Sequence, residues 1–225
     1  MLSAIIFDFN GVISDDEPIH LASMLRVLEE EGIRVPLDQY NDKYLGRDDR
    51  DCFQLAFEQT GRSLDAKDLP SLIERKSVYY RQSLEPGLKV FPGVVSFIEQ
   101  AYLRFELAIA SGALRSEIEL VVDRLGLRDR FRCLVSSHEI DRGKPAPDIF
   151  LKALEGINLY GKRGHILPAN CLVIEDSQAG VNAALSAGMK CLAVSNTYPP
   201  EHLTAAHRVV ASLEMDPSAL CELFP

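Results

Sequence analysis

The stretch CLVIEDSQAGVNAALSAGMKCLAV, residues 171–194, decides the fold because it reads as a strand, a helix and a second strand. Its two ends, Cys171–Ile174 and Lys190–Val194, are short and almost continuously apolar, which is typical of strands buried on both faces of a parallel sheet. Alanines at helical spacing lie between them, and Gly188 is placed to end that helix. The stretch therefore predicts a βαβ unit.

Four further apolar runs repeat the strand pattern elsewhere in the chain. They are Ser3–Phe9, Glu106–Ala110, Phe131–Val135 and the weaker Arg208–Ala211. From about residue 86 onward, segments with helical spacing alternate with these runs. We therefore predict an α/β fold, a doubly wound parallel sheet with helices on both faces.

The block 16–84 differs, because it has helical spacing but no convincing strand. We predict an α-helical insert there, returning through a hinge at 85–87, with the α/β core formed by 1–15 and 85–225. At roughly 150 residues per domain, 225 residues correspond to about 1.5 domains, which fits one core carrying a small insert. A longer connection, Gly156–Asn170, is predicted to be a surface insertion.

Composition excludes several classes of protein. Apolar residues make up 47% of the chain and the net charge is −9, so we expect a globular protein that repels the phosphates of nucleic acid. No apolar run is long enough to cross a membrane, and no secretory leader is expected. The five cysteines are scattered without metal-binding spacing, which favours reduced thiols and a cytoplasmic location. We expect a monomer that binds neither nucleic acid nor a membrane.

Residues that could take part in catalysis or binding follow successive predicted strands. Asp8 ends the first strand, Ser111–Gly112 follows the second, and the pair Glu175–Asp176 ends the fourth. Lys144 lies in Gly143–Asp148, where two prolines predict a stiff, extended loop that presents the ammonium to an anion. Because parallel strands end at the same edge of a sheet, these side chains are expected to meet in one crevice. Two adjacent carboxylates there are costly unless a cation pairs them.

This order of Asp, Ser, Lys and an acidic pair resembles the four motifs of the haloacid-dehalogenase-like superfamily. The strings KPAPDIF (144–150) and EDSQAGVNAALSAGM (175–189) are similar to the subgroup of β-phosphoglucomutase and small sugar-phosphate phosphatases. The resemblance covers nearly the whole chain. It implies that the helical insert is a cap domain and that the chain is a phosphatase acting on a small phosphorylated metabolite.

The resemblance also implies roles for the site residues. Asp8 would be the catalytic nucleophile that forms an aspartyl-phosphate. The metal ligands for Mg²⁺ would be Asp8, Asp176 with Glu175 assisting, and the backbone carbonyl of Asn10. The phosphate-binding groups would be the Ser111 hydroxyl, the Gly112 amide and the Lys144 ammonium.

The charges of these residues favour a metal independently. A phosphate dianion with Asp8, Glu175 and Asp176 carries −5, and Lys144 returns +1. Like charges about 4 Å apart repel by about 4 kcal/mol at an effective dielectric constant of about 20. Mg²⁺ would bring the sum to −2, so we expect chelation to abolish activity.

The sequence departs from the family pattern at Asn10. The resemblance implies a second aspartate here, which protonates the leaving oxygen and later activates water. A carboxamide keeps the size of that side chain and the backbone carbonyl, but it transfers no proton. General acid–base catalysis contributes about 10²–10⁴-fold, so a large deficit is expected for a sugar phosphate.

Three explanations of Asn10 stay open. It is an engineered replacement that traps a bound state, or a native residue compensated by another acid, or the mark of a protein that binds phosphate esters with weak turnover. Asp16 is the candidate substitute acid, and a solvated hinge residue or helix N-cap is its alternative role. A β-phosphoglucomutase-like phosphomutase is disfavoured, because it would need the missing acid twice.

Substrate choice is expected to depend on the insert. Residues 44–50 (YLGRDDR) resemble the specificity loop of the family, in which Arg47 and Arg50 are placed to contact a substrate phosphate or hydroxyl. A solvated run of charges is the alternative. His20 is expected to lie at the surface or to pack at the hinge, and Lys76 matches no context of a catalytic lysine.

Overall fold

The chain divides into two units, one formed by Met1–Asp15 with Lys89–Pro225 and the other by Asp16–Leu88. We call them the core unit and the helical unit. The structure, a computed structural model, describes residues 1–44, 47–84 and 88–224, apart from three side chains in 38–42. The predicted hinge at 85–87 lies outside the described residues.

A six-stranded parallel sheet forms the core unit, in the order β3-β2-β1-β4-β5-β6. Its strands are β1 (Ala4–Phe7), β2 (Glu106–Ala110), β3 (Cys133–Val135), β4 (Cys171–Glu175), β5 (Lys190–Val194) and β6 (Arg208–Val210). The predicted α/β fold is confirmed.

The strand register fixes where the chemistry-bearing residues lie. Phe7, the last residue of β1, pairs with Ile109 of β2 on one side and Ile174 of β4 on the other. The residues that follow these three strands therefore emerge side by side. The strand order changes direction at β1, which is where open α/β sheets form a ligand crevice.

Four helices of the core unit connect the strands: α5 (Val94–Tyr102), α6 (Arg115–Arg124), α7 (Asp148–Tyr160) and α8 (Gln178–Ser186). The prediction of a surface insertion over Gly156–Asn170 is wrong at its start, because α7 continues to Tyr160. A Cβ at Gly156 would lie 2.5 Å from Cys133 Sγ, so glycine allows α7 to pack closely on β3 here and does not break the helix.

Apolar side chains fill both faces of the sheet. On one face, Ile6 and Val173 pack with Phe150 of α7 and Ala184 of α8. On the other face, the ring of Phe7 meets those of Phe97 and Phe131 edge-on, with centroids 6.0 Å apart in each pair. Full burial of such a side chain stabilises the fold by about 1.5–3 kcal/mol, so the layers hold the strand ends firmly in place.

The apolar spacing in the sequence predicts three helices in the helical unit, around 21–28, 53–57 and 72–80. Its described residues form four helices: α1 (Glu17–Glu30), α2 (Leu37–Lys43), α3 (Asp49–Gln59) and α4 (Leu69–Leu84). Helix α2 was not expected because it is only seven residues long, too short for an apolar stripe to repeat. The core of the unit includes Val27, Phe53 and Leu72.

Two observations bear on the surroundings of the protein. Among the helices in the described parts of the chain, none has both the length and the apolar character that crossing a membrane requires. All five cysteines are free thiols.

Candidate active site

The turn after β1 places Asp8 at the carboxyl edge of the sheet. The Asp8 amide donates a hydrogen bond of 2.9 Å to the carbonyl of Ile174, which continues the pairing with β4. The chain then turns through Gly11, whose φ of +77° is in the left-handed region. A Cβ at Gly11 would lie 1.9 Å from Asp176 Oδ2, so only glycine lets the turn approach that carboxylate.

Three buried carboxylates converge at this edge. Asp8, Glu175 and Asp176 each offer an oxygen within 4.8 Å of the others. Burial raises the pKa of Asp8 to about 6, with the charge of Lys144 opposing this rise and that of Glu175 adding to it. Burial, followed by the charges of Glu175 and Asp8, holds the pKa of Asp176 well above its usual range. The bare cluster is therefore electrostatically unfavourable.

Lys144 bridges two of these carboxylates. Its Nζ lies 2.8 Å from Asp8 Oδ1 and 2.5 Å from Glu175 Oε1. Burial lowers the pKa of the ammonium, but the two carboxylates outweigh that effect and leave its pKa raised, so Lys144 is charged at neutral pH.

The predicted extended loop around Lys144 is wrong. The residue lies in a turn, in which the Ala146 amide donates to the Gly143 carbonyl at 3.0 Å. Proline fixes φ near −65°, a value that suits a turn as well as an extended chain, so the two prolines did not distinguish these conformations.

Glu175 holds the site together through both of its oxygens. Oε1 accepts from Lys144, while Oε2 accepts from the amides of Asp176 and Ser177 at 2.8 and 2.9 Å and from the Ser177 hydroxyl at 2.9 Å. The Ser177 hydroxyl in turn accepts from the Gly180 amide and caps α8. Glu175 thus orients the lysine and the loop, and Asp8 and Asp176 are the carboxylates better placed to bind a cation.

Ser111 follows β2 and meets the turn after β1. Its buried hydroxyl donates to Asn10 Oδ1 at 3.5 Å and accepts from the Ala113 amide at 3.1 Å. Gly112 beside it is exposed. The Ser111 hydroxyl therefore contacts the turn that carries Asp8.

Sequence reasoning missed two polar residues of this site, in the loop after β5. Asn196 Nδ2 donates to the Gly11 carbonyl at 2.8 Å, and the Thr197 hydroxyl hydrogen-bonds to the Asp176 carboxylate. The run Ser195-Asn196-Thr197 is polar in the sequence, but its relevance depends on β5 lying next to β4. Only the strand order reveals that neighbour.

The donor set fits a hard divalent cation. Three carboxylates and one ammonium sum to −3 + 1 = −2. Carboxylate and carbonyl oxygens are the ligands that Mg²⁺ prefers, and it accepts sites with few protein ligands because it retains water. A divalent cation would neutralise the cluster.

The sequence profile of the haloacid dehalogenase-like hydrolases matches residues 5–194, a span that includes Asp8, Ser111, Lys144 and the acidic pair. The chain belongs to the haloacid dehalogenase-like hydrolases. The resemblance predicted from the motifs is confirmed.

Individual members of this hydrolase family give a finer comparison. The chain is 31% identical to a phosphorylated carbohydrates phosphatase of Thermotoga maritima over 193 residues, 84% of this chain and 83% of the relative. It is 29% identical to the fructose-1-phosphate phosphatase of Escherichia coli over 192 residues, 85% of this chain and 96% of the relative. The predicted phosphatase class of the enzyme is confirmed by such relatives.

A solved structure supports the fold. The β-phosphoglucomutase of Clostridium difficile superposes with a TM-score of 0.86 and 24% sequence identity, covering 99% of this chain and 96% of that one. At this identity, the likeness shows that the two chains share a fold.

The helical unit of this hydrolase contains a second buried polar cluster. The Asp16 side chain is fully buried, accepts a hydrogen bond from the Tyr80 hydroxyl and lies 3.7 Å from His20 Nε2. Its carboxylate makes no hydrogen bond that caps α1. Asp16 occupies the N-cap position of α1, as one expected alternative has it, but its side chain is directed to Tyr80 of α4 and does not cap the helix. The other alternative, a solvated hinge residue, is wrong because the side chain is buried.

The same cluster continues to Lys76, which is 1% exposed. Its Nζ lies 2.6 Å from His20 Nδ1 and 3.1 Å from an oxygen of Asp49. His20 lies inside the unit, against Lys76, Asp16 and the Tyr80 ring, where surface or hinge packing was expected. A buried ammonium placed between an imidazole and a carboxylate is a feature that the helical spacing alone did not predict.

The two specificity candidates of the family, Arg47 and Arg50, are both exposed. Arg47 Nε donates to the Lys43 carbonyl at 2.6 Å, and Arg50 lies in the first turn of α3. Residues 45 and 46 of the predicted specificity loop lie outside the described residues.

Proposed function

We propose that this chain is a Mg²⁺-dependent phosphatase of small phosphorylated metabolites that uses Asp8 as its nucleophile. The observation that carries the proposal is the buried cluster of Asp8, Asp176 and Glu175 with Lys144 between two of them. The names of the relatives refer to phosphorylated carbohydrates and fructose-1-phosphate, which supports a sugar-phosphate-like substrate.

The proposed reaction proceeds in two displacements at phosphorus. A carboxylate oxygen of Asp8 forms a bond to phosphorus while the bond to the ester oxygen breaks, and that oxygen takes up a proton. Water then attacks phosphorus and returns a proton to the group that protonated the ester oxygen, the bond to Asp8 breaks, and inorganic phosphate leaves. A covalent aspartyl-phosphate divides one difficult hydrolysis into two easier steps.

Asp8, Asp176 and the backbone carbonyl of Asn10 are the proposed metal ligands, with Glu175 supporting them through its bonds to the loop and to Lys144. When bound, Mg²⁺ supplies positive charge that offsets the charge of the phosphoryl group. The pair of Lys144 with Asp8 keeps an ammonium at the attacking oxygen, where it lowers repulsion between the carboxylate and a phosphate dianion.

Ser111 and Gly112 are the proposed anchors for the phosphoryl oxygens. The Ser111 hydroxyl is buried beside Asn10, and the exposed Gly112 backbone offers an amide at the end of β2. Donors at the end of a strand hold an anion in a fixed orientation, which aligns phosphorus with Asp8.

Asp16 is the proposed substitute for the acid that Asn10 cannot provide. A carboxyl group that is buried and bonded to the Tyr80 hydroxyl is held in place, unlike a solvated hinge residue. Replacement of Asp16 by Asn should lower turnover of alkyl phosphates by about 10²-fold. Equal rates for Asp16→Asn and the parent would remove Asp16 from the mechanism.

Asn10 itself favours a second candidate function, a phosphate-ester-binding protein with weak turnover. Binding requires the cation, Lys144 and Ser111, whereas turnover of a poor leaving group also requires a proton donor. A phosphomutase is disfavoured by the same residue, since that reaction removes a proton from one hydroxyl and returns it to another.

The deciding experiment measures hydrolysis of a panel of phosphate esters by the parent and by Asn10→Asp, with Mg²⁺ and with excess chelator. A gain of about 10²–10⁴-fold in the variant alone indicates the weakly active binding protein. Comparable Mg²⁺-dependent rates indicate a phosphatase with another proton donor. Activity of the parent that survives exhaustive chelation would exclude the proposed metal.

The remaining parts of the proposal concern partners. Arg47 and Arg50, both exposed, are proposed to contact the part of the substrate that distinguishes one metabolite from another.

The net charge of −9 supports a protein without nucleic-acid partners, and the five free cysteines support a cytoplasmic location. We propose a monomer, which light scattering would test.

A further inference from the structure

The loop after β5 contacts the two turns of the acidic site, one carrying Asp8 and the other carrying Asp176. Strands β4 and β5 run parallel with Glu175 opposite Ala193, so the chain leaving β5 passes beside Asp176. The loop is anchored on its other side, because the Ser195 amide donates to the Val210 carbonyl of β6 at 2.9 Å. A segment fixed to a neighbouring strand is a firm support for the residues it contacts.

Thr197 contacts the metal-binding carboxylate. Its hydroxyl donates a hydrogen bond to Asp176, which also experiences the negative charges of Glu175 and Asp8 and the weaker opposing charge of Lys144. A Cβ built on Gly11 would lie 1.9 Å from Asp176 Oδ2 and 2.8 Å from Thr197 Oγ1. The carboxylate, the hydroxyl and the glycine backbone therefore meet without space for a methyl group.

Asn196 contacts the turn that carries Asp8. Its Nδ2 donates to the Gly11 carbonyl at 2.8 Å, three residues after Asp8. Consecutive side chains of one loop thus reach the two turns that present Asp8 and Asp176. Hydrogen bonds to a metal-binding carboxylate commonly fix its orientation, and their removal weakens metal affinity by about 10–100-fold.

We propose that Thr197 and Asn196 are positioning residues of the phosphatase, Thr197 aligning the Asp176 carboxylate for the metal and Asn196 aligning the turn that carries Asp8. The inference rests on the proposed function, because it concerns the proposed nucleophile and metal. It assigns the two roles to different steps. Loss of Thr197 affects mainly metal binding, whereas loss of Asn196 affects mainly the attack by Asp8.

The test compares Thr197→Val, which keeps the shape but removes the hydroxyl, with Thr197→Ser, which keeps the hydroxyl. Thr204→Val is the matched control, because Thr204 is exposed in the same unit. Mg²⁺ affinity is measured without substrate, from the rise of the thermal unfolding midpoint with Mg²⁺ concentration. We expect about 10–100-fold weaker Mg²⁺ binding for Thr197→Val and parental binding for Thr197→Ser and Thr204→Val.

Asn196→Ala is assayed at saturating Mg²⁺, where a lower kcat with Mg²⁺ affinity near that of the parent is expected. Parental kcat in this variant would overturn the role of Asn196. Equal Mg²⁺ affinity in Thr197→Val and the parent would overturn the role of Thr197. If Thr197→Val fails to fold, Thr197→Ala replaces it in the comparison with Thr197→Ser.

A separate outcome concerns the metal itself. If Mg²⁺ leaves the unfolding midpoint of the parent unchanged, the proposed metal dependence fails, and the positioning of Asp176 for a metal fails with it. If the parent responds and Thr197→Val responds equally, only the inference about Thr197 fails. The two failures are therefore distinguishable.

Discussion

The core unit and the helical unit each bury a lysine among carboxylates, but they satisfy those carboxylates differently. In the helical unit, Asp16 accepts from the Tyr80 hydroxyl, Glu17 accepts from the Tyr40 hydroxyl, and Lys76 pairs with Asp49. Each acid has its own side-chain partner. Such a cluster is stable by itself.

In the core unit, Asp8 and Glu175 share the single ammonium of Lys144, and Asp176 lies within 4.8 Å of both acids. The sum of −2 leaves the cluster short of positive charge. A site that is unfavourable alone and favourable with a cation is suited to binding one. The helical-unit cluster therefore pairs its acids with side chains of the protein, whereas the core-unit cluster is completed by a cation.

The largest expected effect is the loss of activity when the core cluster loses its nucleophile. Asp8→Asn removes the oxygen anion that attacks phosphorus, so turnover should fall by at least about 10⁴-fold. Steady-state hydrolysis of a phosphate ester with Mg²⁺ measures it. Asp15→Asn, at an exposed site seven residues away, serves as the control and should keep parental activity. Residual activity of Asp8→Asn near that of the parent would assign the chemistry to another group.

The next effect concerns stability of the helical unit. Lys76→Met leaves Asp49 and its neighbours without the buried ammonium, so the free energy of unfolding should fall by about 3–5 kcal/mol. Urea denaturation followed by circular dichroism measures the change. Lys67→Met is the matched control, because the Lys67 side chain is 76% exposed, and it should change stability by less than about 0.5 kcal/mol. Parental stability of Lys76→Met would contradict a stabilising role for this cluster.

The pH dependence of the metal-free protein sharpens the contrast. Burial raises the pKa of Asp8 from 3.8 to about 6, so folding favours its protonated form. Stability from this group is present below about pH 4 and is lost as pH rises through about 6, by up to about 3 kcal/mol.

Urea denaturation of the parent and of Asp8→Asn in chelator, between pH 4 and pH 7, measures this loss as the difference between the two proteins. Mg²⁺ at pH 7 should restore stability to the parent. If the difference in stability between the two proteins does not change with pH, folding does not raise the pKa of Asp8.

The smallest expected effects are changes in the free energy of unfolding, of opposite sign, caused by two matched Asp→Asn substitutions. Asp176→Asn removes one of three mutually repelling carboxylates, so the metal-free protein should gain about 1 kcal/mol of stability. Asp16→Asn weakens the buried hydrogen bond with Tyr80, so stability should fall by about 1–3 kcal/mol. Thermal and urea unfolding in chelator measure both changes. Two changes of the same sign would end the distinction between the clusters.

Much of the core was predictable because burial on both faces leaves a strong local pattern. The apolar runs at Cys171–Ile174 and Lys190–Val194 predicted β4 and β5, and an acid directly after a buried run predicted the position of Asp8 at the sheet edge. Helix α2 and the C-terminal end of α7 were not predicted. A seven-residue helix shows no apolar repeat, and a glycine within a helix reads as a break until its packing partner, Cys133, is known.

The sequence by itself determined which side chains end the parallel strands, since strand pattern and residue type are local properties. The tertiary structure decided which of those side chains share a partner. Lys144 reaches Asp8 and Glu175, Thr197 reaches Asp176, and Tyr80 reaches Asp16 across 64 residues of chain. Distance in space and burial set the charge balance of each cluster, and neither quantity can be read from the order of residues along the chain.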